Sequence, residues 1–97
     1  MDRFVRAPGV VTRRIAGELV LVPTGGAPDE TMRSVRFFVL NRTAETIWDR
    51  LATPQTVEAL ARHLTTEYEI DYAQALADAG ALLEDLRRNA SVVHAEE

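Results

Sequence analysis

The sequence predicts an α+β domain in which three β-strands come first and three helices follow. The N-terminal part is rich in strand-forming residues separated by turn signals, and the C-terminal part shows helical periodicity behind capping residues. The run from Val35 to Leu51 joins the two parts, because a bulky strand there leads through Asn41 directly into an amphipathic helix. The 97 residues fit a single domain, spanning 1–97, with one modest core.

Three segments have the composition of strands. Val10–Ile15 and Glu18–Val22 are separated only by Ala16–Gly17, which predicts a hairpin with a two-residue turn. Val35–Leu40 is rich in β-branched and aromatic residues and predicts the third strand. Side chains alternate along a strand, so Phe37 and Phe38 are expected on opposite faces of the sheet.

The segments around these strands are predicted to be irregular. Pro8–Gly9 is a turn signal that separates an arm at 1–8, which we expect to be flexible. The long stretch 23–33 carries the Gly, Pro, Asp and Glu residues of a surface loop. The tail at 94–97 is expected to fray.

Each helix has an N-cap candidate in the sequence. Asn41 precedes the first helix, over about Arg42 to Ala52, and Asp71 precedes the third. The second helix has two candidates, Thr53 and Thr56, of which Thr56 is favoured. Asp71 followed by Gln74 also has the spacing of a capping box.

Two helices show features that bear on function. In the first, Trp48 lies in the apolar stripe with Ile47 and is predicted to be a core anchor. The third ends near Arg87–Arg88, with Asn89 expected in the left-handed conformation. Its apolar face combines small residues and leucines and is wider than a core stripe requires, so part of it is predicted to meet a partner.

Composition and charge exclude several functions. There is no cysteine, and the two histidines, His63 and His94, have no metal-ligand spacing, so neither a metal site nor another cofactor is predicted. No nucleophile or phosphate-loop motif is present, so no catalytic residue is assigned. No apolar run is long enough for a membrane span, and a cytoplasmic location is expected.

The charge distribution disfavours nucleic acid as a partner. The formal net charge is −4, and the part from 51 to 97 holds three arginines against nine acidic residues. Binding to a phosphate backbone needs clustered positive charge, which the predicted helices lack. Neither nucleic acid nor membrane is therefore an expected partner.

The order and spacing of several short motifs resemble the PqqD family, whose members are leader-peptide-binding proteins also called RiPP recognition elements. The similarity extends over about residues 3 to 93. The matching segments are Arg6–Val10, Leu19–Leu21, Phe38–Asn41, Ala44–Leu51 with its Ile47–Trp48, Thr56–Leu60 and Ala77–Leu86.

The resemblance implies a fold and a non-enzymatic function. The fold is winged-helix-like, with a three-stranded antiparallel sheet followed by three helices. The implied ligand is the leader of a ribosomally made precursor peptide, which adds as a strand to the edge of the third strand. The implied second partner is a modifying enzyme, such as a radical SAM protein or a leader peptidase, to which the core of the precursor is presented.

The implied binding site combines the third strand with one wall of the third helix. We expect Ala79→Arg to abolish leader binding at little cost in stability, because the new side chain fills the cleft between them without disturbing the core. The predicted peptide-binding residues are Ser34, Val35, Arg36, Phe37, Phe38, Val39, Tyr72, Ala75, Ala79, Leu82, Leu83 and Leu86.

Two other functions fit the same arrangement. A winged-helix DNA-binding regulator is the main alternative. The acidic residues of the third helix argue against it, because its two arginines lie at the C-terminal end. A subunit or fragment of a larger enzyme is the other possibility, because modules of this family also occur fused to catalytic domains.

Overall fold

The computed structural model describes residues 2–23 and 38–95. Its elements confirm the predicted α+β, winged-helix-like architecture, in which an antiparallel three-stranded sheet precedes three helices. The sheet has the order β2-β3-β4, and a separate two-stranded sheet pairs β1 with β5. The elements are β1 (Phe4–Arg6), β2 (Val10–Ile15), β3 (Glu18–Pro23), β4 (Phe38–Leu40), α1 (Arg42–Arg50), α2 (Val57–Glu67), α3 (Tyr72–Arg88) and β5 (Val92–His94).

The predicted hairpin is formed by β2 and β3. Ile15 pairs with Glu18, so the turn consists of Ala16 and Gly17 alone. Both turn residues have positive φ, 53° and 85° respectively. Positive φ at both residues gives a two-residue turn whose twist matches that of the flanking strands. Gly17 adopts this conformation without steric cost.

β4 continues the sheet and gives it two unlike faces. Leu40 pairs with Leu19 and Phe38 with Leu21, and all four side chains join or contact the core beneath the helices. Val39 points to the opposite face and is 49% exposed. The predicted separation of Phe38 and Leu40 from Val39 is thus confirmed, while positions 35–37 of the predicted strand lie outside the described residues.

All three predicted N-caps are confirmed. The side chain of Asn41 accepts a hydrogen bond from the Ala44 amide at 2.8 Å, and Thr56 accepts from the Ala59 amide at 3.0 Å. Asp71 accepts from the Gln74 amide at 2.8 Å, but the Gln74 side chain donates to Asp78. The capping box is therefore only half formed.

One core connects the sheet to the helices. Leu21 and Leu40 supply the sheet side, and the helices close over them. Trp48 is 2% exposed, which confirms its predicted place in the core. The buried residues of this core are Leu21, Leu40, Ala44, Ile47, Trp48, Leu51, Leu60, Ala61, Leu64, Ala75, Ala79, Leu83, Leu86 and Val92.

Part of the N-terminal arm, for which flexibility is predicted at 1–8, forms strand β1. Phe4–Arg6 pairs antiparallel with Val92–His94, and the Phe4 and His94 rings lie 4.6 Å apart. The Phe4 amide also donates to the Gln55 carbonyl at 2.7 Å. His94, the first residue of the predicted tail at 94–97, likewise belongs to a strand.

The end of α3 differs from the prediction by one residue. Asn89 has a φ of −88°, and Ala90 takes the left-handed conformation with a φ of 58°. The Ser91 amide then donates to the Leu86 carbonyl at 2.8 Å, which satisfies a free carbonyl of the last helical turn. The chain can turn here and enter β5.

Arg6 joins the arm to the end of α1. Its guanidinium lies 4.7 Å from the centre of the Trp48 ring and donates two hydrogen bonds to the Trp48 carbonyl, at 3.0 and 2.8 Å. A positive charge at these last carbonyls also complements the negative end of the helix dipole. The contact thus combines a cation–π interaction with capping of α1.

We expect Arg6→Lys to lower the free energy of unfolding by roughly 1 to 2 kcal/mol, because an ammonium cannot reproduce two donors over a ring face. Urea denaturation measures the change. Arg62→Lys, at an exposed position of α2, is the matched control and should lie within about 0.5 kcal/mol of the unmodified protein. Equal losses for both variants would contradict the capping role of Arg6.

Candidate functional site

β4 presents a strand edge for pairing. Among the described residues, β4 pairs only with β3, so its other edge lacks a neighbouring strand. Backbone amide and carbonyl groups on such an edge can pair with an added strand. The described part of this edge comprises Phe38, Val39 and Leu40.

A groove of about 320 Å³ lies between the N-terminal half of α1 and α3. Asn41 belongs to its lining and directly follows β4, so the groove starts where the open-edged strand ends. We call it the α1/α3 groove. Its lining residues are Asn41, Thr43, Ala44, Ile47, Asp78, Ala81, Leu82 and Asp85.

The α1/α3 groove has an apolar interior and an acidic rim on α3. Ala44 and Ile47 are 8% and 2% exposed and form the interior with the half-buried Leu82. Asp78 and Asp85 are exposed on the α3 side. An apolar side chain could enter such a groove while its neighbours remain at the polar rim.

The predicted site residues on the sheet divide into two groups. Phe38 and Val39 lie on β4, at the strand with the open edge. The predictions for Ser34, Val35, Arg36 and Phe37 fall outside the described residues. Of the predicted loop at 23–33, only Pro23 lies within the described residues.

The predicted residues on α3 do not form one wall. Leu82 lines the α1/α3 groove, but Ala75, Ala79 and Leu86 have no exposed surface because they pack into the core. A ligand cannot contact those three without opening the core. The structure thus places these three residues in the core rather than along the groove, and Ala79→Arg would bring a charge into a buried position.

The other two predicted residues on α3 lie away from the α1/α3 groove. Leu83 is 5% exposed and lines a second groove, and Tyr72 is 40% exposed in the first turn of α3. The second groove, of about 410 Å³, lies on the opposite flank of α3. Its lining residues are Asp2, Phe4, Val57, Glu58, Gly80, Leu83, Glu84, Arg87 and His94.

Sequence reasoning missed the rim of the α1/α3 groove. Asp78, Ala81, Leu82 and Asp85 follow the i, i+3, i+4, i+7 spacing of one helical stripe. This stripe lies beside the core stripe that contains Ala75 and Ala79. The mixed composition of this stripe does not indicate a binding surface, because only Leu82 is a large apolar residue.

Two surface ion pairs lie on the helices that form the α1/α3 groove. Arg14 of the hairpin pairs with Glu45 of α1, and the hydrogen bond from Arg14 lowers the pKa of the Glu45 carboxyl. On α3, the hydrogen bond from Arg87 lowers the pKa of Glu84 in the same way. The stabilisation from both pairs is present above the ordinary carboxyl pKa and is lost as the pH falls through the lowered values.

Within residues 2–23 and 38–95, no three His, Asp or Glu side chains are grouped so that they could hold a metal ion. None of the helices described there is long and apolar enough to cross a membrane.

Comparison with known proteins identifies the family. Residues 18–91 match the family described as coenzyme PQQ synthesis protein D (PqqD). The chain belongs to the PqqD family. This confirms the resemblance seen in the sequence, and the matched segment includes β3, β4 and the three helices, hence both the open strand edge and the α1/α3 groove.

A solved structure supports the same relationship. This PqqD-family chain is similar to a structure described as "Lasso peptide synthetase B1 complexed with the leader peptide", with a TM-score of 0.72 and 28% sequence identity. The match covers 93% of this chain and 96% of the other. A search of curated proteins found no match.

Proposed function

We propose that this chain binds the leader segment of a ribosomally made precursor peptide and presents the precursor to a modifying enzyme, without catalysing a reaction itself. The observation that carries the proposal is the α1/α3 groove at the end of β4, a strand with no second strand partner among the described residues. Membership of the PqqD family and the similarity to a protein solved with a leader peptide support the same function.

In the proposed complex, the leader adds as a fourth strand beside β4. Backbone hydrogen bonds to an open strand edge supply affinity for any extended peptide, whereas side-chain pockets select among sequences. The selecting pocket is the α1/α3 groove, where Ile47, Ala44 and Leu82 offer apolar surface. Val39 and Phe38 provide the neighbouring strand surface.

The proposed second partner is the enzyme that modifies or cleaves the precursor. A leader held on one strand edge leaves the remainder of the precursor outside the groove, where an enzyme can reach it. A radical SAM protein or a leader peptidase would suit this role, as the family resemblance implies. The chain would then act as an adaptor in a cytoplasmic pathway.

Charge argues against the DNA-binding alternative. Arg87 and Arg88, at the end of α3, lie 2.7 and 3.3 Å from the same Glu84 carboxylate oxygen. Asp78 and Asp85 occupy the exposed stripe of the same helix. If α3 served as a recognition helix, this acidic surface would face the phosphate groups of the DNA and repel them.

The test is a binding measurement with the leader of a short precursor encoded beside this gene. Fluorescence anisotropy with the labelled synthetic leader should give a dissociation constant from roughly micromolar to high nanomolar, without metal or nucleotide, because ordering a peptide costs part of the contact energy. A scrambled leader of equal composition is the control and should bind much more weakly. Salt-sensitive binding of duplex DNA that is tighter than leader binding would overturn the proposal.

A further inference from the structure

The α3 side of the α1/α3 groove carries charge of one sign only. Asp78 and Asp85 are both exposed, and the groove lining described above contains no basic residue. The Asp78 carboxylate accepts a hydrogen bond, at 2.8 Å, from the neutral Gln74 side chain, and no basic side chain of residues 2–23 or 38–95 is seen to pair with it. A ligand in this groove therefore meets two carboxylates beside an apolar interior.

The spacing of these carboxylates is within about 2 Å of the side-chain repeat of an extended peptide on each side of Leu82. Leu82 lies between them, about 6 Å from Asp78 and about 4.5 Å from Asp85 along the helix axis, because each helical residue rises about 1.5 Å. The groove follows this axis, since its lining on α3 extends from Asp78 to Asp85. In an extended strand, side chains on one face recur every two residues, at about 6.6 Å.

We infer that the α1/α3 groove selects peptides in which an apolar residue is flanked by basic residues two positions before and two positions after it. The apolar side chain contacts Leu82 and Ile47, and the basic side chains extend toward Asp78 and Asp85. This inference rests on the proposed function and specifies the chemistry of its ligand. It assigns apolar selection to the interior and charge selection to two named rim residues.

The test selects binders from a display library of random 12-residue peptides on four forms of the full chain. These forms are the unmodified protein, the double variants Asp78→Lys/Asp85→Lys and Asp78→Asn/Asp85→Asn, and the matched control Glu67→Lys. Glu67 is an exposed residue at the end of α2, outside the groove lining. Lysine is compatible with helical positions, and circular dichroism verifies that each variant is folded.

The unmodified protein and Glu67→Lys should enrich peptides with the basic–x–apolar–x–basic pattern. The double variant should enrich acidic residues at the same two positions instead. A peptide selected on the unmodified protein should bind the double variant roughly 3- to 10-fold more weakly, as expected for exposed charge pairs. Asp78→Asn/Asp85→Asn, which removes charge without reversing it, should show an intermediate loss.

The outcomes separate the inference from the function on which it rests. Enrichment of the same peptides on the unmodified protein and on both double variants would overturn the charge inference while leaving peptide binding intact. Enrichment of no peptide on any form would overturn the proposed function, and with it the inference. A charge preference that reverses on Glu67→Lys as well would show that net charge, rather than the groove, selects the ligand, and would also overturn the inference.

Discussion

Trp48→Ala is expected to lower the free energy of unfolding by roughly 3 to 5 kcal/mol. The Trp48 ring is 2% exposed and is packed into the core, so its removal leaves a large cavity. The variant also loses the ring on which Arg6 stacks at 4.7 Å. In a domain of this size the midpoint of thermal unfolding should fall by more than about 12 °C, which circular dichroism can follow.

The matched control is Tyr72→Ala, which removes an aromatic ring that is 40% exposed. We expect this variant to lose no more than about 1 kcal/mol. If Trp48→Ala and Tyr72→Ala had the same midpoint of thermal unfolding, the packing of α1 against the sheet would be contradicted.

Features governed by neighbouring residues could be predicted from the sequence. Asn41, Thr56 and Asp71 cap their helices because the cap and the amide that it accepts from are three residues apart. The β2–β3 hairpin follows in the same way from the two-residue separation of its strands. In each case the interacting residues are only a few positions apart in the sequence, so the sequence pattern predicts the interaction.

The second sheet could not be predicted in this way. β1 and β5 have three residues each and come from opposite ends of the chain. Segments of that length show no measurable alternation, and their pairing depends on where the helices place Val92 and Gln55. The sequence therefore places Arg6 in an arm without tertiary contacts, whereas its side chain binds the end of α1.

The lining of the α1/α3 groove could not be predicted for a related reason. Apolar periodicity indicates that α3 has a wide apolar face, but it does not show which of two adjacent stripes faces the core. Ala79 lies in the buried stripe and Ala81 in the exposed one. Arginine at position 79 would enter the core, where a charge without a partner is costly, so position 81 is the informative one.

Ala81→Arg should weaken leader binding more than tenfold, which corresponds to about 1.4 kcal/mol or more of binding free energy. Ala81 is exposed and lines the α1/α3 groove, so a long side chain there occupies space that a leader residue needs. The new guanidinium also lies one helical turn from both Asp78 and Asp85 and neutralises part of the acidic rim. Because position 81 is outside the core, the midpoint of thermal unfolding should change little.

The control is Ala77→Arg, which adds the same side chain at an exposed position of α3 that lines neither groove. It should bind the leader as the unmodified protein does, since its arginine extends into solvent. Isothermal titration with the same synthetic leader compares the three proteins, and thermal melts verify that each is folded. Equal affinity for all three would place the leader outside the α1/α3 groove, whereas loss in Ala77→Arg alone would move the contact to another face of α3.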